Sequence, residues 1–347
     1  MKINKMITVI LSIALLVVFT VACSATAAPA ESASAESASA ESAPTESASE
    51  EAAASEDAPA EAESRKFGVT FMTLDNVHWL RMEKGITDNL RGDDELIVTN
   101  AAMDSSMQLS QVEDLIAQEC DAIFIIPVDG AAIRAGFESC IDAGIPAIAI
   151  DVGPDERELA TTYVATDNYL AGQLMGEGLI RDRDGSAVVG LLGCDIIMSC
   201  RNRAQGFLDA IENSPDIEVI IRQDAAVTTE DALPVLENML QACPEITDFV
   251  CVNDLQAFAA IRVAQASNRP DIGVYGVDGN PDAVEYILEG EMSGTSAQYP
   301  EEMGRIALEK AYEILEGKTV EDEYPVDAKW IDKDNGQEYL DGLADLL

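Results

Sequence analysis

From Phe67 onward, short apolar runs alternate with stretches whose apolar residues recur every three or four positions. The first series of runs is "FGVTFM", "ELIVTN", "AIFIIP" and "IPAIAID", and the second is "AVVGLLG", "IEVIIRQ", "DFVCVND" and "IGVYGVD". Between them lie segments of helical period such as "SMQLSQVEDLIAQ", "GAAIRAGFESCIDAG" and "EDALPVLENMLQAC". Near-continuous apolar strands interleaved with amphipathic helices predict parallel sheets covered on both faces. Two such series predict two doubly wound α/β lobes. Ligands of that architecture sit beyond the carboxyl ends of the strands.

That rule directs attention to the residues just past each run. "TLDNVHW" follows the first strand, Asp151 the fourth, Asn253 and Asp254 the "DFVCV" strand, and Asp278 the "IGVYGV" strand. Polar groups therefore gather along the carboxyl edges of both series, where a crevice between two lobes would lie. Asp278 before "GNPD" has a competing reading as a helix cap or turn residue. Of the pair at 253 and 254, Asp254 reads as the cap of the following helix and Asn253 as the residue facing the cleft. His78 has a competing reading as a core histidine, and Arg203 as a partner of surface acids.

The chain ends add location. "MKINK" followed by "MITVILSIALLVVFTVA" reads as an export signal over 1–22. "TVACSA" resembles a lipoprotein cleavage site, which would make Cys23 the lipidated residue. The alternative is an uncleaved membrane anchor. Residues 23–64 are nearly all Ala, Ser, Glu and Pro, with ten acids and no base between Ser24 and Ser64, a composition that cannot bury a core and is expected to form an extended stalk. The chain is thus expected on the extracytoplasmic face of a bacterial membrane, held by a lipid anchor alone. Its net charge of −43 argues against nucleic acid as a partner.

Candidate chemistry narrows by what is missing. The six cysteines after Cys23 show no C-x-x-C spacing and share the chain with one histidine, which argues against zinc. They read as free thiols, with a Cys194–Cys200 clip as the alternative. "DKDNGQEYLDG" fails the spacing of a calcium loop. No Ser or Cys stands beside a plausible base, so no catalytic residue, metal or cofactor is expected and the chain does not read as an enzyme.

In order along the chain, "TLDNVHW", "IIPVD", "GIPAIAID", "ATDN", "RNRAQGF", "VCVND", "VYGVDGNPD", "GTSAQYP" and "YPVDAKW" resemble the periplasmic sugar-binding proteins of ABC importers, over Phe67 to Trp330. The resemblance implies the type I periplasmic binding protein fold, with three hinge crossovers near Thr166 and Asp167, Gln298 and Tyr299, and Asp327 and Ala328. The lobes would then comprise 65–166 with 299–327, and 167–298 with 328–347. It implies ligand contacts from Asn76, His78, Trp79 and Asp151 in the first lobe, and from Arg203, Asn253, Asp278 and Gln298 in the second or at the hinge. Val152 and Val227 depart from the ribose-binding pattern, which has an arginine and an aromatic there. The implied function is capture of a small neutral sugar or polyol by a monomer that delivers it to an ABC permease and, through it, to an ATPase. Alternatives are a sensor feeding a chemoreceptor or two-component kinase, and a binder of a nucleoside or furanosyl autoinducer.

The chemistry of such a ligand suits these groups independently. Carboxylates accept two O–H donors each, a guanidinium supplies a planar fork of donors, and an indole face covers the C–H side of a sugar ring.

Overall fold

Alternate residues of the central strands enter opposite cores, which is why those runs are apolar almost without interruption. The computed structural model describes residues 64–344. In the strand β3 (Ala122–Ile125), Ala122 and Phe124 pack to one side while Ile123 and Ile125 pack to the other. β4 (Ala147–Ile150) repeats the pattern with Ile148 and Ile150 against Ala147 and Ala149.

With β1 (Lys66–Phe71), β2 (Glu95–Asn100), β5 (Thr162–Thr166) and β11 (Glu323–Val326), these form a six-stranded sheet of order β11-β5-β4-β3-β1-β2, parallel throughout. The helices of this lobe are α1 (Val77–Thr87), α2 (Ser105–Ala117), α3 (Arg134–Ala143) and α9 (Pro300–Leu315).

The second sheet has the same plan. β6 (Ser186–Gly193), β7 (Asp216–Asp224), β8 (Asp248–Cys251), β9 (Gly273–Asp278), β10 (Gly294–Ala297) and β12 (Lys329–Ile331) stand in the order β12-β10-β9-β8-β6-β7. Only β12 runs antiparallel to its neighbour. Around it lie α4 (Asn168–Asp182), α5 (Met198–Ile211), α6 (Thr229–Ala242), α7 (Asp254–Ala266), α8 (Pro281–Glu289) and α10 (Gly336–Ala344). The chain crosses between the sheets after β5, after β10 and after β11.

Each lobe has one helix pair drawn together by reciprocal glycines. A Cβ on Gly172 of α4 would lie 1.9 Å from the Arg203 carbonyl, and one on Gly206 of α5 would lie 2.1 Å from the Tyr169 carbonyl. Gly85 of α1 and Gly304 of α9 meet Glu301 and Met82 backbone in the same way, at 2.0 and 2.3 Å. Both contacts seat a helix that carries site residues. Cys194 and Cys200 are free, buried thiols, so the expected alternative of a clip between them is not formed, and burial raises the Cys200 thiol to about 11. The export signal, Cys23 and nearly all of the stalk lie outside the described residues.

Candidate functional site

Asp278 ends β9 in a backbone conformation with φ 138°, followed by Gly279 at φ 71°. Left-handed backbone is costly for a residue with a Cβ and persists where surroundings enforce it. Here the enforcement is visible. Gly279 N–H donates to Thr295 Oγ1 at 3.3 Å, Asn280 N–H donates to Asp254 Oδ2 at 2.9 Å, and the Tyr339 hydroxyl of α10 donates to the Gly279 carbonyl at 2.9 Å. The loop projects the Asp278 carboxylate toward two donors: Gln298 Nε2 at 2.7 Å and Arg203 Nη1 at 3.2 Å, both on Oδ1. Asp278 makes no cap to α8, whose N-cap is Asn280, so the competing reading of Asp278 as that cap does not describe it.

Arg203 lies buried on α5, its Nε donating to Asn168 Oδ1 at 2.8 Å and its Nη1 also to the Val252 carbonyl at 3.0 Å. Among the described residues, Arg203 Nη2 and Asp278 Oδ2 make no hydrogen bond. A guanidinium edge and a carboxylate oxygen are therefore left to present a donor and an acceptor together. Burial raises the Asp278 carboxyl, opposed by Arg203 and by His78 of the other lobe.

Asp254 corrects a sequence expectation. Asn253 is the cap of α7, its Oδ1 accepting from Gln256 N–H at 2.9 Å, while its Nδ2 donates to the Val227 carbonyl at 3.1 Å. Asp254 lies fully buried and accepts from the Thr295 hydroxyl at 2.7 Å as well as from Asn280. The exchange follows from the helix starting one residue earlier than expected. Burial pushes the Asp254 carboxyl well above the usual carboxylate range, and neighbouring Asp278 adds to the rise. Val227 packs onto the core of this lobe.

The first lobe supplies a looser half. Asn76 caps α1 by accepting from His78 N–H at 2.8 Å, which fixes the first turn and with it His78 and Trp79. The two rings meet edge to face at 4.6 Å between centroids, and Trp79 packs against the core. Opposite stands Asp151, at φ 61°, with Val152 N–H bonded to the Ile150 carbonyl at 2.7 Å. That is a γ-turn of the rarer, strained hand, and the Tyr163 hydroxyl, donating to the Asp151 carbonyl at 2.5 Å, braces it. His78 Nε2 is 3.6 Å from Asp151 Oδ2, beyond hydrogen-bond range, and this buried nitrogen has no hydrogen-bond partner among the described residues.

A cleft of about 860 Å³ is lined from the first lobe by Asp151, Val152 and Thr166 and from the second by Ile197 and Asn202. Its lining includes neither Asp278 nor Arg203. The carboxylate and guanidinium thus lie to one side of the open volume, while Asp151 touches it. Thr166, Asn168, Thr295 and Tyr339 were not among the expected site residues. "ATDN" marked the first two as motif members, Thr166 as part of a hinge crossover and Asn168 without a role, and nothing in the sequence marked Tyr339.

A model of the periplasmic binding protein domain matches residues 67–319. The ribose import binding protein of Bacillus subtilis is 35% identical over 269 residues, covering 76% of this chain and 87% of that protein. The xylitol-binding protein of Mycolicibacterium smegmatis is 26% identical over 83% of this chain and 86% of its own length. Among solved structures, a solute-binding protein of Actinobacillus succinogenes with bound D-allose superposes with a TM-score of 0.72 at 30% identity, over 80% of this chain and all of that one. One from Bacillus halodurans with bound myo-inositol gives 0.69 at 26%, over 80% of this chain and 97% of its own. The fold, the strand-end site and these likenesses agree: the chain belongs to the periplasmic binding protein family, solute carriers rather than enzymes.

Proposed function

We propose that this protein captures a small neutral sugar or polyol between its lobes and delivers it to an ABC importer on the extracytoplasmic side of a bacterial membrane. The carrying observation is the unspent pair on the second lobe: Asp278 Oδ2 and Arg203 Nη2, held by groups that satisfy every other part of both side chains. A hydroxyl is donor and acceptor at once, and such a pair meets both needs. Asp151, His78 and Trp79 approach from the first lobe, Gln298 stands at the hinge, and Asn76 and Asn253 brace the two ends of the site. Lobes of 65–166 with 299–327 and 167–298 with 328–347 close on the ligand about the three crossovers.

Lipidation at Cys23, a monomeric state and partnership with a permease and its ATPase complete the reading. The ligands named for the related proteins, ribose, xylitol, D-allose and myo-inositol, are all neutral and polyhydroxylated. A thermal-shift panel of sugars, polyols and nucleosides tests it, since a ligand at 100 times its Kd adds about 2.7 kcal/mol to stability. Stabilisation by a sugar or polyol is expected. A response to nucleosides alone would overturn the reading.

A further inference from the structure

We infer that Thr166 and Asn168, at the first crossover, are positioning residues that close a ring of hydrogen bonds around both charged groups of the second lobe. The inference rests on the ligand-binding reading of Arg203 and Asp278 given above. Asn168 Nδ2 donates to the Thr166 carbonyl at 3.0 Å, and Asn168 Oδ1 accepts from Arg203 Nε at 2.8 Å. Arg203 Nη1 reaches Asp278 Oδ1 at 3.2 Å, and Gln298 Nε2 reaches the same oxygen at 2.7 Å. The Thr166 hydroxyl completes the circuit by donating to Gln298 Oε1 at 2.7 Å.

Only one polarity satisfies every link. A backbone carbonyl and a carboxylate only accept, and a guanidinium only donates, so each amide is oriented by an unambiguous neighbour. Asn168 must turn its nitrogen to Thr166 and its oxygen to Arg203. Gln298 must turn its nitrogen to Asp278 and its oxygen to Thr166, which must then donate its single hydroxyl proton. Thr166 enters the ring twice, by backbone and by side chain. It is the last residue of β5, in the first sheet, whereas Arg203 and Asp278 belong to elements of the second lobe. The orientation of the ligand-facing pair is therefore anchored at the crossover itself.

Removing the hydroxyl leaves Gln298 Oε1, in a nearly fully buried side chain, without a donor. The amide then either stays unsatisfied or flips and turns its oxygen on Asp278. Both outcomes disturb the carboxylate that the ligand must meet.

The test compares Thr166→Val with Thr166→Ser in calorimetry with whichever panel sugar or polyol binds the wild type best. Valine is expected to weaken binding by about tenfold or more, and serine to stay within about threefold of wild type. A second measurement needs no ligand: the side-chain amide NMR signal of Gln298, identified by its loss in Gln298→Leu, is expected to move in the valine variant and to return in the serine variant. Valine binding within about twofold of wild type, or serine as impaired as valine, overturns the inference. If no panel ligand binds even the wild type, the proposed function falls by itself, and an unmoved Gln298 signal in Thr166→Val still overturns the ring's role.

Discussion

The two lobes share a strand order and place an aspartate at the carboxyl end of a strand, at Asp151 and Asp278, in unusual backbone conformations. They differ in what surrounds that acid. Asp278 sits in a network with Arg203 and Gln298, while Asp151 has Val152 beside it and an imidazole 3.6 Å away without a hydrogen bond. One half is held in a network that leaves only Arg203 Nη2 and Asp278 Oδ2 of its pair unbonded, and the other has few bonds to its polar side chains. A binding protein with one rigid half and one adaptable half loses little entropy on the first and gains contacts on the second as it closes.

The second lobe is expected to suffer most when it loses its charge balance. Arg203→Ala strips the cation from Asp278, whose side chain is 21% exposed, and Asp278→Ala leaves the buried Arg203 guanidinium without its carboxylate, the second at a cost of up to about 3–5 kcal/mol. A loss of ligand affinity of about 100-fold or more is expected, with the protein still folded by circular dichroism. Calorimetric affinity within about twofold of wild type would show that neither group meets the ligand.

An arginine in the first lobe would add the donors that it lacks. Val152→Arg supplies five N–H donors beside Asp151. Ribose, expected to bind poorly to the wild type, should then gain about 5- to 150-fold, from about 1–3 kcal/mol for a buried polar group that finds its partner. Tight ribose binding by the wild type, with nothing in the panel tighter, would mean that Val152 does not limit the site.

A purely steric change probes the scaffold under the rigid half. Gly206→Ala drives a methyl into the Tyr169 carbonyl and pushes α5 from α4. Denaturant unfolding is expected to show about 1–3 kcal/mol of destabilisation, with weakened ligand binding because α5 carries Arg203. Unchanged stability would mean that the helices yield without cost.

In the loose half, His78→Ala should lower affinity by about 0.5–1.5 kcal/mol, the worth of one ordinary hydrogen bond, with little change in the melting temperature of the ligand-free protein. A large loss of that melting temperature would make His78 a core residue instead.

The smallest effect is a slope. Asp254 and Asp278 are raised in the folded protein, chiefly by burial, so the folded state binds more protons than the unfolded one between the two sets of pKa values. Stability of the ligand-free protein therefore rises as pH falls from neutral through the folded values, until the unfolded carboxyl value near about 3.9 is approached. The melting temperature should climb as pH falls from neutral toward the unfolded carboxyl value, less steeply in Asp254→Asn. A flat profile, or equal slopes, would contradict the raised carboxyls.

The order of amino acids specifies the alternation of strands and helices, because parallel strands covered on both faces must be apolar at successive positions, as Ala122 to Ile125 are. It also determined where to look, since ligands of such sheets lie beyond strand ends and Asp151 and Asp278 stand there. How those acids are held is set by the folded chain. Asn253 and Asp254 are adjacent polar residues of similar capping propensity, and which one caps α7 depends on where the helix starts and on Thr295 lying within reach of Asp254. The ring through Thr166, Asn168, Arg203, Asp278 and Gln298 joins residues as far as 132 positions apart, and Tyr339 reaches Gly279 across 60. Hydrogen bonds act over about 3 Å of space, so periodicity along a chain carries no trace of such a closure; it exists only once two sheets and their crossovers bring the strand ends together.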